Sequence, residues 1–413
     1  MNVTSQIQAF SNPPRLSVIG FDYGTHSTKV VQRYWGEPQG KIVQFDEAVP
    51  GYPSQASPSI IREQDGRLYF GATGFGMPTA MDYGSLKAEL MDDLSDDPEL
   101  AQRIEVLVVA YIAWALTQMF DRNPSWRHDR LRLQISAPTS FVGDAEMEQK
   151  YDRIGHAAYA LAIDGGNEIR QGICYEEALR LIRPFLQMTP PSREERRFSI
   201  QPETIAPIIS LQQEPIVSSG MYLMIDMGAG TTEMSIVAVP RNSTEPIRCY
   251  YDSTERRGGS KLAELEDLPV GESQRCLEAF LSDFNKQASK VWQVGFMKDA
   301  SNRAARRNWQ QLTVLLTGGA TRHANIAAQF DSDSKVPFSW QPHGTKHRTV
   351  RHTPRTIKSL TENDREDLSI FAVANGLSIH TAVWRQCFVM DAINQLTPIT
   401  ESIQLMQSYL EIA

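Results

Sequence analysis

At 413 residues the chain has length for two or three domains, at roughly 100–200 residues each. Apolar residues make up 41% and charged residues 22%, ordinary globular usage that excludes global disorder. A net charge of −8, from 41 basic and 49 acidic residues, argues against a whole-surface binder of nucleic acid or anionic membrane.

Four cysteines, Cys174, Cys249, Cys276 and Cys387, form no CxxC pair. Neither a zinc site nor a disulfide framework is expected, and a reducing cytoplasm fits. The start, M-N-V-T-S-Q-I-Q-A-F, lacks the basic and apolar regions of a signal peptide. The longest apolar run, 106–116, is shorter than the ~20 residues of a membrane span, so none is expected.

In chain order, residues 16–22 read as a buried strand that stops at Y-G-T-H, and 28–34 resume a β pattern. Residues 57–71 read as a hairpin turning at Asp65-Gly66. Leu100, Ile104, Leu107, Val108, Tyr111 and Leu116 recur at helical spacing, predicting a core helix over 99–120. Leu131, Leu133 and Ile135 alternate in a strand that stops at Pro138, after which Asp144 is the expected N-cap of a helix to about 163. A further helix is expected over 175–187. From 189 to 220 the chain is rich in Pro, Ser, Glu and Arg without periodicity, and reads as a linker or inserted loop. Its R-E-E-R-R run (193–197) reads as a solvated charged stretch.

A second strand, 223–226, then meets a glycine turn, M-G-A-G-T-T, and Met234, Ile236 and Ala238 alternate beyond it. The strand-turn-strand unit thus occurs once in each half, which suggests two related lobes and not a short-period solenoid. A mostly helical stretch, 260–309, precedes a third strand, 312–316, that runs into T-G-G-A-T-R and a helix. Residues 335–358 are basic and irregular. Within them His343, His347 and His352 fit no zinc spacing, and 343–355 is expected to form a solvated β-hairpin, with a surface for an acidic partner as the alternative. Residues 366–384 and 388–411 read as helices.

The two turns carry the chemistry. In D-Y-G-T-H-S-T (22–28), Gly24 lets backbone amides approach an anion while Thr25 and Ser27 add hydroxyl donors. Asp22, at the strand end, suits the water shell of a magnesium ion. D-M-G-A-G-T-T (226–232) repeats the logic with Asp226, Gly228, Gly230, Thr231 and Thr232. Either turn alone is more often a structural hairpin than a phosphate site. A Rossmann fingerprint is excluded because no third glycine follows and the turn leads into a strand, and no GxxxxGK[ST] loop exists.

Two Asp-Gly-Thr hairpins followed by a strand ending in T-G-G-A-T-R resemble the ATPase fold shared by actin, sugar kinases and the heat-shock protein 70 chaperones. The closest resemblance is to the heat-shock protein 70 nucleotide-binding domain. S-P-S-I-I (57–61), G-A-T-G (71–74), S-L-K-A-E-L (85–90), S-A-P-T-S-F (136–141), Y-E-E-A (175–178) and A-V-A-N-G-L (372–377) occur in the family's order, covering most of 16–384. The resemblance implies an α/β, two-lobed actin-like ATPase fold of duplicated ribonuclease H-like domains with a deep interlobe nucleotide cleft. Its divisions would be a tail (1–15), lobe I (16–210), lobe II (211–369) with a reduced helical subdomain (260–310) and an adenosine motif (317–322), and C-terminal helices (370–413) returning to lobe I.

The same resemblance implies that Asp22, Gly24, Thr25 and His26 form a first phosphate loop, and Asp226, Gly228, Gly230, Thr231 and Thr232 a second. Gly318, Gly319, Ala320 and Arg322 would line the nucleoside, with Asp22 and Asp226 holding Mg2+. Asp22, Glu176, Asp226 and Thr231 would serve hydrolysis, Glu176 by orienting water, while Pro138 matches the proline of interlobe switching. The implied ligands are ATP or ADP with Mg2+, with a protein partner and no nucleic acid.

Departures from the family pattern bear on activity. Phe75 stands where the family has a lysine, so a cation for the transferring phosphoryl group is missing there. Lys87 belongs to another segment, though a flexible lysine could substitute. His26, Glu233 and Ile370 replace a threonine, an aspartate and an acidic residue, and the adenosine-binding E-x-x-K pattern has only Glu278 and Lys286 as near candidates. The expectation is an ATP-binding protein with slow or lost hydrolysis, acting as a conformational switch and lacking a peptide-binding domain. A small-molecule kinase (Lys29 in G-T-H-S-T-K resembles the sugar-kinase turn), a nucleotide-dependent scaffold or actin-like polymer, and a pseudo-ATPase stay open, as does guanine in place of adenine.

Overall fold

A computed structural model describes residues 16–44, 49–53, 55–77, 81–83, 86–90, 97–127, 130–138, 145–164, 166–189, 198–214, 219–240, 247–300, 311–330, 346–358, 368–379 and 388–390. The protein is mixed α/β. Its contacts divide it into two compact units, 1–216 with 228–231 and 352–381, and 217–227 with 232–351 and 382–413.

The first unit begins with β1 (Leu16–Tyr23), β2 (Ser27–Tyr34), β3 (Gly40–Ile42), β4 (Ser57–Pro58), β5 (Ile61–Gln64), β6 (Arg67–Phe70), α1 (Gly71–Phe75), β7 (Met81–Asp82) and α2 (Leu86–Leu90). It continues through α3 (Pro98–Arg122), β8 (Arg130–Ala137), α4 (Ala145–Asp164), α5 (Gly166–Arg170), β9 (Ile173–Cys174), α6 (Tyr175–Leu186), β10 (Phe198–Pro202) and α7 (Ala206–Gln212). The second holds β11 (Gly220–Met227), β12 (Thr232–Val239), β13 (Ile247–Glu255), α8 (Gly259–Glu266), α9 (Val270–Ala300), β14 (Gln311–Thr317), α10 (Ala324–Ala328) and β15 (Lys346–Arg351). The chain then adds β16 (Ile357–Lys358) and α11 (Ala372–Leu377) to the first unit and β17 (Phe388–Met390) to the second.

The main sheet of the first unit runs β10-β8-β1-β2-β3-β16, with β4 on β2. β10, β8 and β1 are parallel, while β2 is antiparallel to both β1 and β3. β1 (L-S-V-I-G-F-D-Y) is buried along nearly its whole length, polar Ser17 and Asp22 included, as befits a strand covered on both faces. Helix α3 starts where Asp97 accepts the Leu100 amide at 3.0 Å, with Pro98 in the first turn. It is long and apolar enough to cross a membrane by composition, but 83% of its most apolar stretch is buried in the core of the unit. A smaller sheet, β7-β5-β6-β9, contains the expected hairpin, with Asp65 (φ 53°) and Gly66 (φ 74°) turning it.

The sheet of the second unit runs β15-β14-β11-β12-β13-β17. Again three consecutive strands, β15, β14 and β11, are parallel, and β12 is antiparallel to both its neighbours. Helix α9 lies on it, burying Phe284, Val291 and Trp292 against Met234 and Ile236. A Cβ on Gly295 would come within 2.1 Å of Ile236 Cγ2.

Three expectations are corrected. Residues 189–220 are not simply a linker: β10 and α7 lie there, and β10 is a strand of the main sheet. Pro202 and Pro207 masked them, although one closes the strand and the other sits in the first turn of the helix, where no amide is needed. The basic 343–355 segment is not a hairpin, because β15 is a single edge strand parallel to β14 and His352 is 2% exposed. At the C-terminus, 388–390 form a strand beside β13 where a helix was expected. The first unit takes up the chain again at His352. The Asp144 cap, the R-E-E-R-R run, His343, Cys387 and residues 391–411 lie outside the described residues.

Candidate functional site

Asp22 is the penultimate residue of the eight-residue β1 and is 3% exposed. Antiparallel pairing sets it opposite Lys29 on the same face of the sheet. Lys29 Nζ lies 3.1 Å from Asp22 Oδ2, and Ser136 Oγ, from the adjacent parallel β8, donates to Asp22 Oδ1 at 3.3 Å.

Asp226 is likewise the penultimate residue of the eight-residue β11, 9% exposed, and the parallel β14 supplies its hydroxyl, Thr317 Oγ1 to Asp226 Oδ1 at 3.1 Å. The residue opposite Asp226 is Glu233. The two hairpins therefore differ in charge. The first pairs its carboxylate with an ammonium and suits an anion, while the second sets two carboxylates side by side and suits a cation. Magnesium takes few protein carboxylates and keeps several waters, and a strand-end carboxylate in either hairpin is of the type it uses. No cluster of three or more His, Cys, Asp or Glu side chains able to hold a metal occurs among the described residues.

Glycines are required where the turns tighten. A Cβ on Gly24 would come within 2.6 Å of Ser27 O, and the Gly228 amide donates to Thr231 O at 3.0 Å. Gly230 and Thr231 complete the second turn before Thr232 opens β12. Gly318 has φ +82°, and a Cβ there would meet Met227 O at 2.4 Å and Asp226 Oδ1 at 2.5 Å. The T-G-G motif is thereby brought against Asp226. Gly319, Ala320, Thr321 and Arg322 form a single 3-10 turn, with Thr321 Oγ1 donating to Gly318 O at 2.8 Å and Arg322 exposed at its end.

Beside the first turn, Thr25 is half-buried and the His26 ring stacks on Tyr52 at 4.2 Å and 5°. Tyr52 meets Phe75 edge-on at 5.7 Å. Phe75 thus ends an aromatic ladder. Although His26 keeps an exposed face, partial desolvation of its ring, then the Lys29 ammonium, lower its pKa, against a raising hydrogen bond with the Gly51 backbone.

Glu176 is not on this edge. It is exposed in the first turn of α6, after β9 of the smaller sheet. The carboxylate that the strand ends do gather is Glu203, just beyond β10. Its amide donates to Ala137 O at 2.9 Å, it is 7% exposed, and its Oε2 lies 2.5 Å from Lys87 Nζ. The signal in the sequence was Q-P-E-T-I-A, an acid closing a short strand before an apolar helix. Pro138 ends β8 beside it.

The second unit has a pocket of about 310 Å³ lined by residues that include Thr232, Arg257, Phe280, Asp283, Lys286 and Gln287. Asp283 bonds Arg257 at 2.6 Å and Lys286 at 3.1 Å, which together lower its pKa. Lys286 was anticipated. Asp283 and Arg257 were missed, although Asp283-x-x-Lys286 is an acid-base pair on one helical face. Glu278 lies on a neighbouring groove of α9.

No family model matches the chain, and no curated protein sequence matches it.

Proposed function

We propose that this chain is an ATP-binding protein with the duplicated ribonuclease H-like architecture of the actin, sugar-kinase and heat-shock protein 70 superfamily. One observation carries the reading. Each unit orders its strands as two parallel neighbours, an aspartate-bearing strand and an antiparallel hairpin partner, with the aspartate penultimate, a glycine turn next and a hydroxyl bond from the parallel strand. Chance repetition would not reproduce strand order, register and the polar partner together.

In this reading the amides and hydroxyls of Gly24, Thr25, Gly228, Gly230 and Thr231 bind phosphate oxygens. Lys29 neutralises charge at the first turn, and Asp226 and Glu233, paired across the second hairpin, orient the waters of Mg2+. Bound magnesium supplies neutralisation of the phosphate charge. The pocket beside Asp283 and Lys286 receives the nucleoside. Phe75 favours binding over turnover, because the cation expected there is replaced by an apolar ring.

Isothermal titration with Mg-ATP tests the proposal. Saturable heat and a raised melting temperature are expected, both lost in Asp226→Ala. No heat up to roughly millimolar nucleotide, with an unaltered melting temperature, would overturn it.

A further inference from the structure

Two carboxylate-ammonium pairs stand at the carboxyl ends of the parallel strands of the first unit. Asp22–Lys29 belongs to the hairpin itself. The other joins Lys87 of α2, 5% exposed, to Glu203 beyond β10, 7% exposed. The register fixes where it lies. Phe21 faces Ile135 and Pro202 faces Ala137, so Asp22, Ser136 to Pro138, and Glu203 follow one another across three adjacent strands. At ~4.8 Å per strand, Glu203 stands about 10 Å along the edge from Asp22, within the span of a polyphosphate chain.

Such a pair is a poor device for stability. Desolvating both ions offsets most of their attraction, and apolar replacements are often neutral or stabilising. A buried lysine paired with a carboxylate at the strand-end edge can, in contrast, exchange that carboxylate for another anion. The position that should supply a phosphoryl cation holds Phe75, which leaves this lysine as a cation of the same strand-end edge besides Lys29.

We propose that Lys87 is the cation for the terminal phosphate of the bound nucleotide, held in reserve by Glu203 until a triphosphate arrives. The inference rests on the nucleotide reading above. When a γ-phosphate oxygen replaces Glu203 as the acceptor for Lys87, the freed carboxylate stands close to a phosphate of the same sign. Glu203 is therefore a competitor for the lysine, and removing its charge strengthens triphosphate binding. A diphosphate, one group shorter, leaves the pair intact.

The experiment compares a non-hydrolysable Mg-ATP analogue with Mg-ADP by calorimetry, on the full chain and its variants. Lys87→Gln is expected to weaken the triphosphate analogue by about 10-fold while leaving ADP within about twofold, and Glu203→Gln to tighten the analogue. Because Lys87→Gln leaves a buried carboxylate without its cation, the double variant Lys87→Gln/Glu203→Gln, a neutral amide pair of similar shape, carries the test if the single variant does not fold. It should bind both nucleotides alike, with the ADP affinity of the parent. A folded Lys87 variant that keeps the parental preference overturns the inference, as does a Glu203→Gln chain that weakens both nucleotides equally. If the parent binds neither nucleotide, the nucleotide reading falls and the inference falls with it.

Discussion

Gly318 shows how a single missing side chain positions a site. Its φ of +82° lies in the left-handed region, and the Cβ of any other residue would press on Met227 O and Asp226 Oδ1 together. Backbone cannot step aside as a flexible side chain can, so relief must come from moving the aspartate. Gly318→Ala is expected to cost about 1–3 kcal/mol of stability and at least roughly 10-fold in Mg-ATP affinity, since a 1.4 kcal/mol misplacement of Asp226 suffices for that. The neighbouring Gly319→Ala, with open space at its Cβ, is the control and should change neither. Calorimetric melting and titration of the two variants check this, and equal behaviour would contradict it. At this scale the sequence was legible where a residue type has one physical use. Asp before a glycine turn identified Asp22 and Asp226, because an acid at a strand end is otherwise costly to bury. Glu203 was not legible, because its meaning depends on the register of β10 against β8, which local pattern does not contain. Glu176 entered only through the resemblance of Y-E-E-A to the family pattern.

Among the elements, α11 is six residues long and owes its place to close packing rather than to its own helical stability. A Cβ on Gly20 of β1 would fall 2.1 Å from Ala374 O, and one on Gly376 would fall 1.8 Å from Ala206 O. Strand, α11 and α7 therefore touch backbone to backbone. The seam is sealed by a polar network in which Arg33 Nη2 donates to Asn375 Oδ1 at 2.7 Å, Arg33 Nε to Ser378 Oγ at 3.2 Å, and Asn375 Nδ2 to Ser210 Oγ at 2.7 Å. Burial lowers the Arg33 pKa to about 10. Gly376→Ala is expected to destabilise the chain by about 2–3 kcal/mol or more, because overpacking against a carbonyl has no rotamer to relieve it. Thermal unfolding measures it, and a loss below about 0.5 kcal/mol, typical of surface changes, would show that α7 and α11 can part. The long α3 and the three central strands with their turns were readable from periodicity alone. β10 and α7 were harder, for a shared reason: they are short, and their prolines, read from sequence as breaks, close the strand and sit in the first turn of the helix, whereas α11 falls inside the helix expected over 366–384.

For the molecule as a whole, two titratable groups in different units, the buried His352 and the half-buried Asp252, pull the acid stability in opposite directions. In the first unit His352, bonded through Nε2 to Ser210 Oγ at 2.8 Å, has its pKa lowered by burial from 6.5 to about 4. Its folded pKa is depressed, so folding favours the neutral ring. That contribution is complete above pH 6.5 and is lost as the pH falls toward 4, by up to about 3.5 kcal/mol at ~1.4 kcal/mol per unit. In the second unit Asp252 is raised by burial from 3.8 to about 6, with Lys298 opposing. Its folded pKa is elevated, so its contribution is present below 3.8 and is lost as the pH rises through 6, by a similar amount of about 3 kcal/mol. Between about pH 4 and 6 the two slopes nearly cancel, and the parent should show little change in total unfolding free energy across that window. His352→Asn removes the first contribution, after which acidification from about pH 6 to 4.5 should raise the melting temperature. Asp252→Asn removes the second, and the same acidification should lower it. Scanning calorimetry of the parent and both variants across that window provides the check, and parallel pH profiles in all three would show that neither group titrates as its burial demands.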